Sequence, residues 1–308
     1  MNYLVTGGAG FIGSNYVQML LTNQLGPVSK VTVFDKLTYA GSLENLKQVV
    51  TDPRFSFIQG DICDEELVRT SILKNDIIVH FAAESHVDRS ISGPSEFIRT
   101  NVLGTQVLLS VAVDNEAKLF LHVSTDEVYG SIESGSSVES DPLLPNSPYS
   151  ASKAASDLLV RSYVQTFGLD ARITRCCNNF GPNQYPEKLI PMSIKKLKEG
   201  SRIPIYGDGS NVREWIHVND HCKGIQKVIE SGSRGEVYNI GSGIHFSNLQ
   251  LIEMLLRVSG QNANQYDFVM DRKGHDFRYS LDFGKLQSMG FTTQESLEET
   301  LRNLWGKE

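Results

Sequence analysis

Apolar and polar positions follow two alternating rhythms through the first two-thirds of the chain. Short, nearly continuous apolar runs occur at 3–6, 31–35, 55–61, 76–83, 118–124 and 170–177. Runs of this length without a polar face suit parallel strands buried on both sides. Between them lie longer stretches with helical spacing: FIGSNYVQMLLTN, DEELVRTSILK, SEFIRTNVLGTQVLLSVAVD and YSASKAASDLLVRSYVQTFG. The alternation predicts an α/β fold, a Rossmann-type doubly wound parallel sheet with right-handed crossovers.

From Asn178 onward the rhythm breaks. NNFGPNQYPEK and RIPIYGDGSNVREW are rich in turn residues, whereas LIPMSIKKLKEG and NLQLIEMLLRVSG have helical spacing. Residues 1–177 are therefore expected to form the dinucleotide-binding domain, and 178–308 mainly a smaller domain of irregular loops and short helices. GEVYNIG at 235–241 has strand character. A segment near 215–241 is expected to return to the large sheet, leaving the two domains partly interleaved.

Composition narrows the function classes. The chain has 308 residues, 40% of them hydrophobic, which is ample for a substantial core. A net charge of −7 provides no basic footprint for nucleic acid and disfavours anionic membranes. No apolar run approaches the ~20 residues needed to span a bilayer. MNYLVTGG enters the first strand directly, so no signal peptide is expected. Cys63, Cys176, Cys177 and Cys222 lack zinc-like spacing. Reduced thiols in a cytoplasmic protein without a metal site are the expectation.

The candidate chemistry starts at TGGAGFIG, which sets Gly7, Gly10 and Gly13 between a strand and a helix. Glycines keep such a turn tight and let backbone N–H groups approach a pyrophosphate at the helix N-terminus. Asp35 ends the next strand, near the ~20-residue distance expected of an acid that binds ribose hydroxyls. A carboxylate there repels a 2′-phosphate, which favours NAD over NADP. GDI at 60–62 and HFAAES at 80–85 end the third and fourth strands, on the edge where such sheets hold ligands. Tyr149 and Lys153 in SPYSASK share one helix face at i, i+4. An ammonium near the phenol is expected to lower its pKa from ~10 towards working pH, so that it can take a hydroxyl proton.

On TGGAGFIG, LTYAGSLENL, HFAAESHVDRS, STDEVYG, SPYSASKA, NNFGPNQYPEKLIP, YGDGSNVREWIHV and DRKGHDFRYSLD, the sequence resembles the extended short-chain dehydrogenase/reductase family, in its nucleotide-sugar dehydratase branch. The matching stretches reach Asp282. The resemblance implies NAD held by Gly7, Gly10, Phe11, Ile12, Gly13, Asp35, Lys36, Leu37, Thr38, Gly41, Asp61, Ile62, Phe81, Ala82, Ala83, Ser85, Thr100, Tyr149, Lys153 and Asn179. It implies dTDP-glucose as substrate, gripped by Ser85, Thr125, Asn178, Lys188, Leu189, Pro204, Ile205, Tyr206, Arg213, Asn248, Arg272 and His275. A planar guanidinium fork matches a diphosphate, which singles out Arg213 and Arg272. A homodimer joined through a four-helix bundle is also implied.

The adjacent acids of STDEVYG pose a geometric problem, because neighbours on a regular strand point to opposite faces. If the strand ends near Ser124 and DEVYG turns helically, neighbours diverge by ~100° and can address adjacent carbons of one sugar. The family's reaction needs that arrangement: oxidation at C4, elimination across C5 and C6, and hydride return to C6. By resemblance, Thr125 and Tyr149 with Lys153 handle the C4 hydroxyl, Glu127 is the C5 base and Asp126 the C6 acid. Two departures from the family pattern stand away from this chemistry: Phe180 replaces the usual tyrosine of NNYGP, and Lys273 the proline of RPGHD. A nucleotide-sugar 4-epimerase, a sugar-acid decarboxylase and a non-catalytic NAD-binding sensor are the alternatives. The epimerase and the sensor have no need of the acid pair; a decarboxylase can keep the glutamate, but Asp126 and HVDRS favour dehydration.

Overall fold

The computed structural model describes residues 1–306. Its strands are β1 (Asn2–Thr6), β2 (Lys30–Asp35), β3 (Phe55–Gln59), β4 (Ile77–His80), β5 (Leu119–Thr125), β6 (Ala171–Cys176), β7 (Asn178–Phe180), β8 (Ile203–Tyr206), β9 (Val212–His217), β10 (Val237–Ile240), β11 (His245–Ser247) and β12 (Tyr266–Val269). The first six coincide with the six apolar runs. Together with β10 they form a seven-stranded sheet in the order β10-β6-β5-β4-β1-β2-β3, parallel throughout. The order reverses beside β1, and this switch point opens a crevice at the carboxyl ends of the strands.

Both faces of the sheet are covered, which is why its strands lack a polar face. On one side Val5, Val33, Val79 and Leu121 pack with helices Phe11–Leu21 and Val218–Ser231. On the other, Leu4, Ile78 and Phe120 pack under helices Thr105–Asp114 and Pro148–Phe167. A third core, with Ile203, Trp215, Leu251 and Leu255, belongs to the smaller lobe. There β9 lies between β7 and β11, and β12 pairs with β8. No helix among the described residues is long and apolar enough to cross a membrane.

Three elements differ from the sequence reading. RIPIYGDGSNVREW contains two strands rather than only loop. Its turn residues are confined to GDGS, where Gly207 and Gly209 adopt positive φ, while Ile203, Ile205, Trp215 and Ile216 on either side are buried. Within 215–241 only the later part rejoins the large sheet. Strand β9 stays in the small lobe, helix Val218–Ser231 crosses to lie on the sheet, and β10 adds to β6 in parallel register. The apolar stretch at 95–114 is not one regular helix. It widens to a π-helical segment over Ile98–Gly104 before continuing as Thr105–Asp114. The widening frees the Asn101 carbonyl, which accepts hydrogen bonds from the hydroxyls of Thr105 and Ser156, each at 2.6 Å. The Asn101 amide in turn brackets the backbone of Glu84 at 2.8 and 3.0 Å, fixing the loop that leaves β4.

Candidate active site

The glycine turn lies against the end of β4. Gly7 has φ +68°, and a Cβ there would stand 2.5 Å from the Ala82 nitrogen. At Gly13 a Cβ would stand 2.3 Å from the Gly7 carbonyl oxygen. Only hydrogen fits at either position, so the turn packs tightly against the loop after β4 and against itself at the start of helix Phe11–Leu21. Asp35 at the end of β2 accepts the Ala9 amide at 2.9 Å and the Leu37 amide at 2.8 Å. Burial raises its pKa, and these two bonds hold the rise back. At the end of β3, Asp61 pairs with Lys36 at 2.9 Å and Arg99 at 3.2 Å.

One cavity of about 310 Å³ runs along these strand ends. It is lined by every residue expected at the dinucleotide except Leu37. Leu37 has φ +55° and packs its side chain against the core, so it shapes the loop rather than the cavity surface.

The acid pair enters the same cavity. Strand β5 runs to Thr125, one residue further than expected, and Asp126–Tyr129 then makes one 3₁₀ turn. Thr125 Oγ1 caps the turn by accepting the Glu127 amide at 3.3 Å. With three residues per turn, Asp126 and Glu127 diverge by ~120° instead of facing opposite ways. Both line the cavity.

Their environments separate them. Asp126 is 3% exposed. Burial, then the nearby Glu127 and Glu214, push its pKa well above the usual carboxylate range. Its Oδ1 accepts the Thr125 hydroxyl at 3.2 Å, and its Oδ2 has no hydrogen-bond partner among the described residues. Burial also raises Glu127, but Arg272, Lys188 and Arg213 pull in the other direction. Both carboxyls are thereby pushed towards the acid form, Asp126 far more strongly than Glu127, whose burial three cations partly offset.

Tyr149 and Lys153 lie on helix Pro148–Phe167, which begins with a capping box between Ser147 and Ser150. The phenol of Tyr149 is hydrogen-bonded with Thr125, and its ring meets Phe97 edge-on at 6.3 Å. Its pKa differs from the sequence expectation. Burial and then the charge of Glu127 push the phenol up rather than down. Lys153 Nζ donates to the Val123 carbonyl at 2.8 Å, and burial pulls its pKa down to about 8 against the opposing pull of Asp157.

Of the residues expected around the nucleotide sugar, Ser85, Thr125, Asn178 and Lys188 line the cavity. Lys188 Nζ donates to the Ser85 carbonyl at 2.9 Å. Arg213 is buried, stacked 4.5 Å from the Tyr279 ring and donating to the Asp276 carbonyl at 2.9 Å. Arg272, Tyr206 and His275 form a separate group. Arg272 stands 3.8 Å from Asp88, Tyr206 donates to Asp88 at 3.2 Å, and His275 lies edge-on to Tyr206 while bonding Asp271 at 2.6 Å. Leu189, Pro204, Ile205 and Asn248 do not line this cavity. Ile205 and Leu189 pack into the small-lobe core, Pro204 sits in β8 opposite Asp267, and the Asn248 amide donates to the Asn211 carbonyl at 3.0 Å.

Sequence reasoning missed Cys176, Cys177, Glu84, Tyr185 and Glu187, all of which line the cavity. The two cysteines follow the strand-end rule at β6 and could have been found by it. Glu214, which biases Asp126, carries no such signal. Its carboxylate is held by the amides of Ser242, Gly243 and Leu281 at 2.6 to 2.8 Å, contacts between segments far apart in sequence.

A dinucleotide cradle and a Tyr–Lys pair opening into one cavity are the marks of extended short-chain dehydrogenase/reductases. Within that class the chain belongs to the family described as GDP-mannose 4,6 dehydratase, whose model matches residues 4–304. It is 54% identical to a dTDP-glucose 4,6-dehydratase of Actinoplanes sp. over 93% of this chain and 90% of that one. It is 53% identical to the low-salt glycan biosynthesis protein Agl12 of Haloferax volcanii over 98% and 96%. Among solved structures, the dTDP-glucose 4,6-dehydratase DesIV of Streptomyces venezuelae, with NAD and TYD bound, superposes with a TM-score of 0.97. That alignment is 54% identical and covers 99% of this chain and 96% of the other.

The cradle generates a direct expectation. Gly13→Ala forces a Cβ into the Gly7 carbonyl, and titration calorimetry with NAD should then show binding lost or weakened by well over tenfold, the effect of ~1.4 kcal/mol. Unchanged affinity would show that the turn does not approach the ligand.

Proposed function

We propose that this protein converts dTDP-glucose to dTDP-4-keto-6-deoxyglucose and water, a hydro-lyase reaction of deoxysugar biosynthesis with no net consumption of NAD. The observation that carries the reading is the unequal environment of Asp126 and Glu127 in the cavity that also holds the dinucleotide cradle. The relatives named dTDP-glucose 4,6-dehydratase support the substrate, and the NAD-bound neighbour supports the cofactor.

The residues fit NAD: the hydrogen-only positions Gly7 and Gly13 admit a pyrophosphate, and Asp35 admits ribose hydroxyls while excluding a 2′-phosphate. When bound, NAD supplies an acceptor for the C4 hydride and gives the hydride back at C6. In this reading Tyr149, hydrogen-bonded with Thr125 and one helical turn from Lys153, takes the C4 hydroxyl proton, although burial and Glu127 oppose its phenolate in the chain alone. The C4 ketone acidifies C5. Glu127 takes the C5 proton, and Asp126 gives its proton to the departing C6 hydroxyl, which leaves as water; as the hydride returns to C6, Glu127 gives its proton back to C5. Because the product keeps the ketone, the C4 hydroxyl proton is surplus at Tyr149 while Asp126 has lost one. Thr125 bonds both groups and connects donor to acceptor. A 4-epimerase needs no such unequal pair of acids.

Lys188, Arg213 and Arg272 supply positive charge for the diphosphate of the sugar nucleotide. The cytoplasmic setting rests on the four free thiols, Cys63, Cys176, Cys177 and Cys222. A homodimer is part of the same reading. Ile98, Leu103, Leu158 and Phe167 expose apolar side chains on the two long helical stretches at 94–114 and 148–167, which suits a four-helix bundle with a second copy.

Incubation with dTDP-glucose should produce an alkali-absorbing 4-keto sugar without stoichiometric NADH; accumulating NADH or a galactose product would overturn the reading. The two acids should then separate by isotope exchange. Loss of a general acid or base costs ~10²–10⁴ in rate, so Asp126→Asn and Glu127→Gln should both be slow. In deuterated water Asp126→Asn should still place deuterium at C5, found by mass spectrometry of quenched enzyme-bound sugar, and Glu127→Gln should not. Equal exchange would mean that the roles are assigned wrongly. Light scattering at micromolar concentration should give twice the chain mass of 34.2 kDa; a monomer would refute the bundle.

A further inference from the structure

The proposed reaction sets a demand on cofactor retention: the hydride leaves C4 and must return to C6, so reduced cofactor and ketone have to stay together between the steps. Floor and walls of the cavity come from the glycine turn and the strand ends. At the rim lies a cluster to which neither the sequence reading nor the chemistry assigned a role. The loop after β2 contributes Tyr39, flanked by the cavity-lining Thr38 and Ala40. Helix Val87–Ser92 contributes Arg89, and the loop before helix Leu189–Lys198 contributes Tyr185 and Glu187.

These four side chains interlock. The Arg89 guanidinium lies 3.7 Å over the Tyr39 ring. Tyr39 meets Tyr185 edge-on at 5.5 Å, and its hydroxyl bonds Glu187. Arg89 also pairs with Glu187 at 3.2 Å. Each loop is anchored on its far side. The backbone and side chain of the 42–45 segment bond the Ala9 carbonyl beside the glycine turn, at 3.0 Å from the Ser42 amide and 2.9 Å from Asn45. Lys188 ties the other loop to Ser85 at 2.9 Å. Two loops that border the cavity are thus joined to each other by contacts that reach neither the acid pair nor Tyr149.

We propose that Tyr39, Arg89, Tyr185 and Glu187 form a clasp that holds NAD and NADH in the cavity between hydride removal and hydride return. This rests on the cofactor reading above. Arg89 is half exposed, so each contact is modest by itself, and the clasp opens without unfolding anything. Its effect is on release rate and not on the chemical step.

The test measures release directly. Wild-type protein and the variants Arg89→Ala, Tyr39→Ala and Tyr39→Phe are loaded with radiolabelled NAD and chased with excess unlabelled NAD. Loss of one cation–π contact and one exposed ion pair should speed release about tenfold in Arg89→Ala, with Tyr39→Ala at least as fast. Tyr39→Phe keeps both ring contacts and should stay within about threefold, the effect of one modest hydrogen bond. During turnover Arg89→Ala should shed free NADH, and its progress curve should decay and recover on adding NAD, while its first turnover in a quenched-flow experiment matches wild type. Release unchanged in both alanine variants would overturn the clasp alone. A wild-type protein that binds no NAD would overturn the cofactor reading and the clasp with it.

Discussion

Two like charges cannot both persist side by side in a dry cavity, and this constraint organises the site. Asp126 and Glu127 are consecutive, and both open into the same space. Burial raises the cost of ionising either, and the first to ionise raises the cost for the second. The protein resolves the competition with unequal neighbours. Glu214 adds negative charge near Asp126, whereas Arg272, Lys188 and Arg213 offset burial at Glu127. Two similar, consecutive side chains thereby come to differ in how strongly burial and charge raise their pKa values.

That asymmetry requires both lobes. The large sheet delivers the acids, because β5 is a central strand that ends in a tight capped turn at the crevice. The small lobe and its loops deliver the charges: Arg213 and Glu214 are neighbours on β9, and Lys188 and Arg272 come from loops 84 residues apart in number. Arg213 offsets burial at both acids, whereas Glu214 adds negative charge at Asp126. The crossing of helix Val218–Ser231 onto the large sheet, with Tyr16 donating to Gln226 at 2.8 Å, locks β9 in place relative to β5.

A cofactor that is reduced and reoxidised within each cycle needs a cavity that stays shut. The glycine cradle gives close approach but no cover. Cover comes from loops whose contacts are aromatic and ionic at half-exposed positions, which can break and reform without disturbing the buried network around Tyr149, Thr125 and Asp126. Separating strong buried contacts at the chemistry from weaker ones at the rim lets one cavity be both exacting and accessible.

What the sequence determined by itself was local in character. Six apolar runs foretold six strands because a strand buried on both faces has no choice but to be apolar throughout. The glycine turn, Asp35 and the Tyr149–Lys153 spacing were legible because each works within one turn or one helix face. The tertiary structure alone decided the rest. β8 and β9 were hidden among turn residues because their burial depends on helices contributed from elsewhere in the chain. The π-helical segment answers to Ser156 and Glu84, neither of them near it in sequence. The phenol of Tyr149 moved up and not down because desolvation and a carboxylate from another segment set its environment. Spacing along a chain fixes which groups share a face. How strongly each is desolvated, and by which distant charge it is answered, exists only once the chain has folded.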